Sequence, residues 1–422
     1  MKHTVALPMF FALMALSCDR GGIASRPAGF LQTDSAGISI AESTDSAWVG
    51  PERWTIAPAP AAVIGTTAGE DPHTAFGRIG GIEVLSDGRI VVADVLANEI
   101  RVFDRDGEYL TTLGRQGQGP AEFGRLDRIA RLNGDSVVGR DVAAFKSVVF
   151  SSDGSGSRTV MGPPMSWSGL IPVYVAGWLS DGSAIVSHTI QRSDYPPGTS
   201  VITPEWHLFD PLGEHRALIG QLPAARVHNE GEGAAPLVFS LPARIQADSL
   251  GFWHGLPERT ELTHYTAAGV DRIVRTRYEP PLVTEALRES YRAWYTESSR
   301  AQAEGLPPSL RDLIEARIDQ LYFADRLPAY RRFLLSTDGF FWLEAYPTVE
   351  EMSQPAWSWS EGSTGRKWTL LSPQGRWLGT VEIPAGLSLR VVTQDRIVGV
   401  LQDELDVQYV AAYEIQKTQQ EG

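Results

Sequence analysis

Residues 87–114, DGRIVVADVLANEIRVFDRDGEYLTTLG, set short apolar runs between Asp-Gly turns. Asp-Gly pairs supply the positive φ that tight hairpins require, and the flanking β-branched and aromatic residues favour pleated strands. The pattern recurs along the chain. Its first turn returns as SDG (86–88), NGD (133–135), SDG (180–182), DSLG (248–251), TDG (337–339) and QDR (394–396). Its second turn returns as DRDG, SSDG, DPLG, TAAG and SPQG. Each unit reads as four antiparallel strands, and there are about six units.

Repeated four-stranded units fit a ring in which each sheet packs face to face on the next. Separate meanders would leave exposed edges and several small cores. The expected fold class is all-β, a six-bladed β-propeller over residues 36–417. The last unit, LRVVTQDRIVGVLQDELDVQYVAAYEI, supplies only three strands. In the N-terminal segment, AVIG echoes the fourth-strand endings TTLG and ALIG, so residues 36–66 are expected to close the last blade.

The stretch FGRIGGIEVLSDGRIVVADVLANEIRVFDRDGEYLTTLGRQGQGPAEF resembles six-bladed propellers of the NHL-repeat type, common as bacterial lipoproteins. The GRQGQGPAEF loop and the closing VGVLQDELDVQYVAAYEI resemble a subgroup with no assigned activity. The resemblance covers nearly all of the chain after its leader. It implies the fold and says little about a reaction.

Extra length falls in two classes of connection, between second and third strands and between blades. Alternating strand direction brings both classes to one face, and loops on a rigid scaffold carry function. The longest connection, 279–329, reads as helical. Ser309 and Asp312 suggest a capping box, and Leu310, Leu313, Ile314, Ile318, Leu321 and Tyr322 form a stripe at helical spacing. Leu287, Tyr291, Trp294 and Tyr295 share one side of the segment before it. Such a helical pair packs onto the propeller face or covers the channel mouth.

First strands line the channel of a propeller. Arg128, Arg244, Arg332 and Arg390 fall near the starts of these strands, on the elaborated face. Converging guanidiniums would bind a carboxylate, phosphate or sulfate group through bidentate bonds. The local alternative is pairing with neighbouring acids or strand-end carbonyls. Asp94, Asp141, His188 and Glu344 end second strands, with His254 nearby, and two or three of them could gather around a divalent cation such as calcium. Asp also suits blade turns for local hydrogen-bonding reasons. Trp357 and Trp359, with Tyr346 close by, are candidates for stacking against sugars or peptide groups, or for packing under their loop. No H-E-x-x-H, G-x-S-x-G or phosphate-loop pattern is present.

The start, MKHTVALPMFFALMALSCDRGG, has one lysine and an apolar run too short to span a bilayer, followed by Cys18, the only cysteine. ALSC resembles a bacterial lipobox, which implies a signal peptide over 1–18, lipidation of Cys18 and a bacterial cell-envelope location. The alternative is plain secretion with Cys18 discarded. Residues 19–35 read as a flexible tether, and the membrane would be reached by the lipid anchor alone. The net charge of −14, with 51 acidic and 37 basic residues, argues against a nucleic-acid surface. Two functions remain. One is a non-enzymatic binding module for an anionic small molecule, peptide or glycan, or for an envelope protein, needing no cofactor. The other is a metal-dependent propeller hydrolase or lyase with its site at the same mouth.

Overall fold

The computed structural model describes residues 29–48, 53–66, 71–162, 173–188, 196–230, 234–354 and 367–417. Five four-stranded antiparallel units follow one another, over 79–113, 126–161, 173–221, 244–276 and 333–382, here blades one to five. Blade six takes three strands from 388–417 and its outermost pairing from Ala62–Ile64, beside Trp54–Ile56 on the same last strand. The chain is a six-bladed β-propeller. All six first turns read from the sequence join first to second strands.

Interior strands of a blade are covered on both faces, so they read as continuous apolar runs rather than alternating ones. In Ile90–Asp94, Ile90 and Val92 pack toward blade six, while Val91 and Ala93 pack toward blade two. Each of the six interfaces between neighbouring blades has such a core, including the closing one between blades six and one. Local chemistry sets the turns. The Asp104 carboxylate accepts the N–H groups of Asp106 and Glu108 at 2.9 Å, and Asp210 does the same for Leu212 and Glu214. Gly107 and Gly213 take the left-handed conformation these turns need. In the equivalent turn after Asp403, Asp406 takes it at φ 64°, as Asp tolerates.

The N-terminal segment departs from expectation. Phe30–Ser35 is a strand rather than tether, antiparallel to Ile38–Ser43. Ile38–Ser43 pairs in parallel with Gly269–Thr276, the outer strand of blade four, so residues 36–43 do not lie on the last blade. The chain then crosses blade five, where the N–H groups of Ala47 and Trp48 donate to the Trp377 and Leu378 carbonyls at 2.9 and 2.8 Å. It reaches blade six at Trp54. The segment is thus a belt along the outer edges of blades four, five and six. Any outer strand offers free N–H and C=O groups, and period-2 alternation does not specify which edge is joined. Close contacts fix the choice here. The buried Ser43 hydroxyl accepts from Trp377 N–H at 2.9 Å and donates to the Gly375 carbonyl, and the Trp48 indole lies on Gly379, where a Cβ would sit 2.4 Å from it.

The long connections over blades three to five build a cap. Strands Gly198–Ile202, Ala225–Asn229 and Ala234–Pro236 form a small separate sheet. Helices α1 (Glu285–Ala303) and α2 (Pro308–Asp319) form a hairpin, and α3 (Val349–Met352) is a single turn. The cap has its own core, with Phe239, Val283, Leu287, Leu327 and Met352 buried and Tyr291, Phe323 and Tyr346 against them. Burial pushes the Tyr346 hydroxyl up to about 12. Thr284 caps α1. The expected Ser309–Asp312 box does not form, because α2 starts at Pro308, two residues earlier than a Ser309 cap requires, and proline's fixed φ suits the first helical position. Of the expected stripe, Leu310 and Leu313 are exposed, and Leu321 and Tyr322 lie beyond the helix end.

Candidate functional site

The innermost strands of blades one, two, three and six each carry a β-bulge, at Gly80, Asp127, Ala176 and Arg390. A bulge inserts one residue unmatched by the partner strand and re-aims its side chain. In blade six the effect is direct. Leu389 and Val392 are buried in the interface with blade five, whereas Arg390 between them is exposed.

Arg332 immediately precedes the first strand of blade five, opposite Glu344 at the end of the second. Its Nε donates to Glu344 Oε2 at 2.6 Å, its guanidinium lies 5.4 Å from the Trp368 ring, and Arg331 approaches the other carboxylate oxygen at 3.9 Å. Crowding by protein and the like charge of Arg332 hold the Arg390 guanidinium below its ordinary value, against the pull of Glu344. Its exposure keeps the loss of hydration partial, so it stays charged. Three guanidiniums therefore gather around one carboxylate. Among the described residues no side-chain hydrogen bond or ion pair is made by Arg390, nor by Arg244, the first residue of blade four's inner strand. Arg244 acts electrostatically on Tyr330, whose buried hydroxyl is pushed up by loss of hydration and has no partner among the described residues.

Arg128 follows the local alternative. Its Nε lies 3.2 Å from Asp127, and Nη1 donates to the Val175 and Ala176 carbonyls at 3.3 Å, while Arg140 shares Asp127 and Val175. This cluster clamps blade two to the bulge of blade three.

The proposed metal ligands are not brought together. Asp94 and Asp141 are buried in equivalent places in blades one and two. Asp94 accepts the N–H groups of Gly77, Arg78, Leu96 and Ala97 at 2.9 to 3.2 Å, and Asp141 those of Gly124, Arg125, Ala143 and Ala144 at 2.7 to 3.2 Å. With four backbone N–H groups on each carboxylate, the two aspartates follow the local hydrogen-bonding alternative rather than the calcium one. A signal for this role was present in the sequence: FGR at 76–78 and 123–125 places each Gly 17 residues before its Asp. Glu344 is held by arginines. His188 is buried on blade three, and His254 contacts the Pro223 carbonyl at 2.8 Å, with burial lowering its affinity for a proton against that contact. Among the described residues no three His, Cys, Asp or Glu side chains form a group that could hold a metal ion. Trp357, Trp359 and Cys18 lie outside the described residues.

Sequence reasoning missed a buried network in blade four. His264 lies between Asp248, at 3.1 Å, and Asp271, at 2.6 Å, while Trp253 donates to Asp248 at 3.0 Å. Burial works to lower the His264 pKa, but the two carboxylates outweigh it and the net shift is upward. A turn residue, Asp248, and three residues on three strands, Trp253, His264 and Asp271, carry no local spacing signal.

A closed six-bladed propeller is thus the class that the fold defines. Residues 72–135 match the family described as a 6-bladed beta-propeller. Among solved structures, the chain is similar to a member of the DUF4221 family from Bacteroides vulgatus, at 9% identity over 87% of this chain and 99% of that one, with a TM-score of 0.50. A protein from Bacteroides fragilis described as exported aligns at 13% identity over 90% of this chain and 100% of that one, with a TM-score of 0.47. Virginiamycin B lyase from Staphylococcus aureus aligns at 10% identity over 86% and 99%, with a TM-score of 0.40. No curated protein matches the sequence. These likenesses concern the fold alone.

Proposed function

We propose that the protein is an envelope-anchored binding propeller whose cap-side channel mouth takes an anionic group, a carboxylate, phosphate or sulfate borne by a small molecule, peptide or glycan. One observation carries this reading: a bulge turns Arg390 out of the interblade core, beside Arg332, with no partner of its own among the described residues. An exposed guanidinium held next to a like charge gains from any bidentate anion that bridges the two. Arg244 on the neighbouring blade is a second contact for a larger ligand. The leader over 1–18 and lipidation at Cys18 belong to the same reading and would place the propeller outside the cytoplasm.

Calorimetric titration of the mature protein with citrate, inorganic phosphate and sulfated or carboxylated oligosaccharides tests the binding. Arg390→Ala should weaken the preferred anion about 10- to 100-fold, as expected for loss of charge-assisted bonds. Arg105→Ala, which removes an exposed pair with Asp395 on the opposite face, should leave it unchanged. Equal affinity in wild type and Arg390→Ala would refute the reading.

A further inference from the structure

A second cavity, of about 420 Å³, opens where the cap meets blade four. Its volume lies in the range of small-molecule sites. Its walls come from the small cap sheet and the segment that follows it, the turn after the second strand of blade four, and the segment after the helical hairpin. None of Arg244, Arg332 or Arg390 lines it.

Phe239 beside this cavity adopts φ 63°, a conformation that bulky residues rarely take. Hydrogen bonds hold it there: Val238 N–H donates to Tyr322 at 2.7 Å, Ala324 N–H to Val238 at 2.9 Å, and Ser240 N–H to Leu237 at 3.1 Å. Strain kept in place by its surroundings is a mark of functional segments. The turn buries the Phe239 ring in the cap core and sets Leu237 and Ser240 along the cavity wall.

The remaining wall is charged, by Arg226, Glu258, Asp325 and Arg326, the last donating to the Pro280 carbonyl at 2.7 Å. Arg226 engages Glu258 through Nε and Nη2, the latter at 2.9 Å, and leaves Nη1 outside that bidentate pair. Asp325 adds its negative charge to Glu258's in holding the Arg226 guanidinium protonated. Both signs of charge thus stand side by side on one wall, facing apolar surface from Leu237 and Leu327.

We propose that this cavity binds a zwitterion with an apolar side chain, a free amino acid or a dipeptide, with its carboxylate on Arg226, its ammonium on Glu258 and Asp325, and its side chain against Leu237. A ligand of either single charge would leave one wall group facing its own sign or nothing, so the arrangement discriminates.

The test is calorimetry on the mature protein with L-leucine and L-leucyl-L-leucine, beside 4-methylpentanoate and 3-methylbutylamine, which each keep one charge. At least one zwitterion should bind, and both single-charge analogues should be weaker by about 10-fold or more. Which zwitterion binds more tightly distinguishes the amino acid from the peptide. Glu258→Gln, similar in shape, should remove the preference for the ammonium group, Leu237→Trp should block the cavity, and Arg105→Ala, on the opposite face of the ring, should change nothing. Absence of binding by both zwitterions to the folded protein would overturn the proposal. So would equal binding of the single-charge analogues, or binding unaffected by Glu258→Gln and Leu237→Trp.

Discussion

Arg390 leaves the interblade core because its strand holds one residue more than its partner opposite. Strand alternation alone would have left the side chain's direction open, since a one-residue slip reverses it. The Asp-Gly turns were readable because few residues tolerate positive φ, whereas bulges at Asp127, Ala176 and Arg390 use residues with no such restriction. Asp94 and Asp141 leave two readings open in the sequence for a related reason, as a carboxylate suits a cation and a ring of N–H donors equally well. Glu83 supplies a test at this scale. Loss of hydration on the inner strand of blade one pushes its carboxyl up to about 7, against the opposing charge and N–H of Arg131. The folded state then binds this proton more tightly than the unfolded chain, so its contribution to stability falls as pH rises from about 4.5 through 7. Glu83→Gln should therefore come closest to wild type in thermal midpoint at pH 4, below the unfolded pKa, and exceed it at pH 8. Parallel midpoint profiles from pH 4 to 8 would show that Glu83 titrates normally.

Among the elements, the belt departs furthest from the pattern in the chain. The pairing of Ala62–Ile64 with the last blade had a signal in the AVIG echo, but Ile38–Ser43 carries only the alternation common to any edge strand. What holds it on blade four is three-dimensional: Ala41 and Ser43 fully buried, Gly375 turned toward them, and Trp48 laid flat on Gly379. Removing residues 19–48 should leave the ring closed, because Trp54–Ile56 and Ala62–Ile64 remain, yet lower stability by roughly 2 kcal/mol or more for the lost apolar burial alone. Extending the deletion through residue 66 should prevent folding, since it strips the outer strand from blade six and exposes its edge. Equal chemical-denaturation midpoints for the shorter deletion and wild type would mean that the belt lies on the ring without bracing it.

For the whole molecule, division of labour follows from where length and charge are spent. Six interblade cores and short turns on one face make the ring. The belt braces the outer edges of blades four to six, and the cap covers blades three to five on the other face. The protein carries a net charge of −14, and beyond about a Debye length, near 8 Å at physiological salt, neither that charge nor the guanidiniums act strongly on an approaching anion. Binding there rests on short-range bidentate contacts rather than on long-range steering, so Arg390 and Arg332 should matter more than the count of basic residues. The most direct measurement is an anomalous-difference map from crystals of the mature protein soaked in selenate. The account predicts a peak bridging Arg390 and Arg332, lost in Arg390→Ala. Selenate bound elsewhere with the mouth empty, or a peak that survives Arg390→Ala, would contradict it.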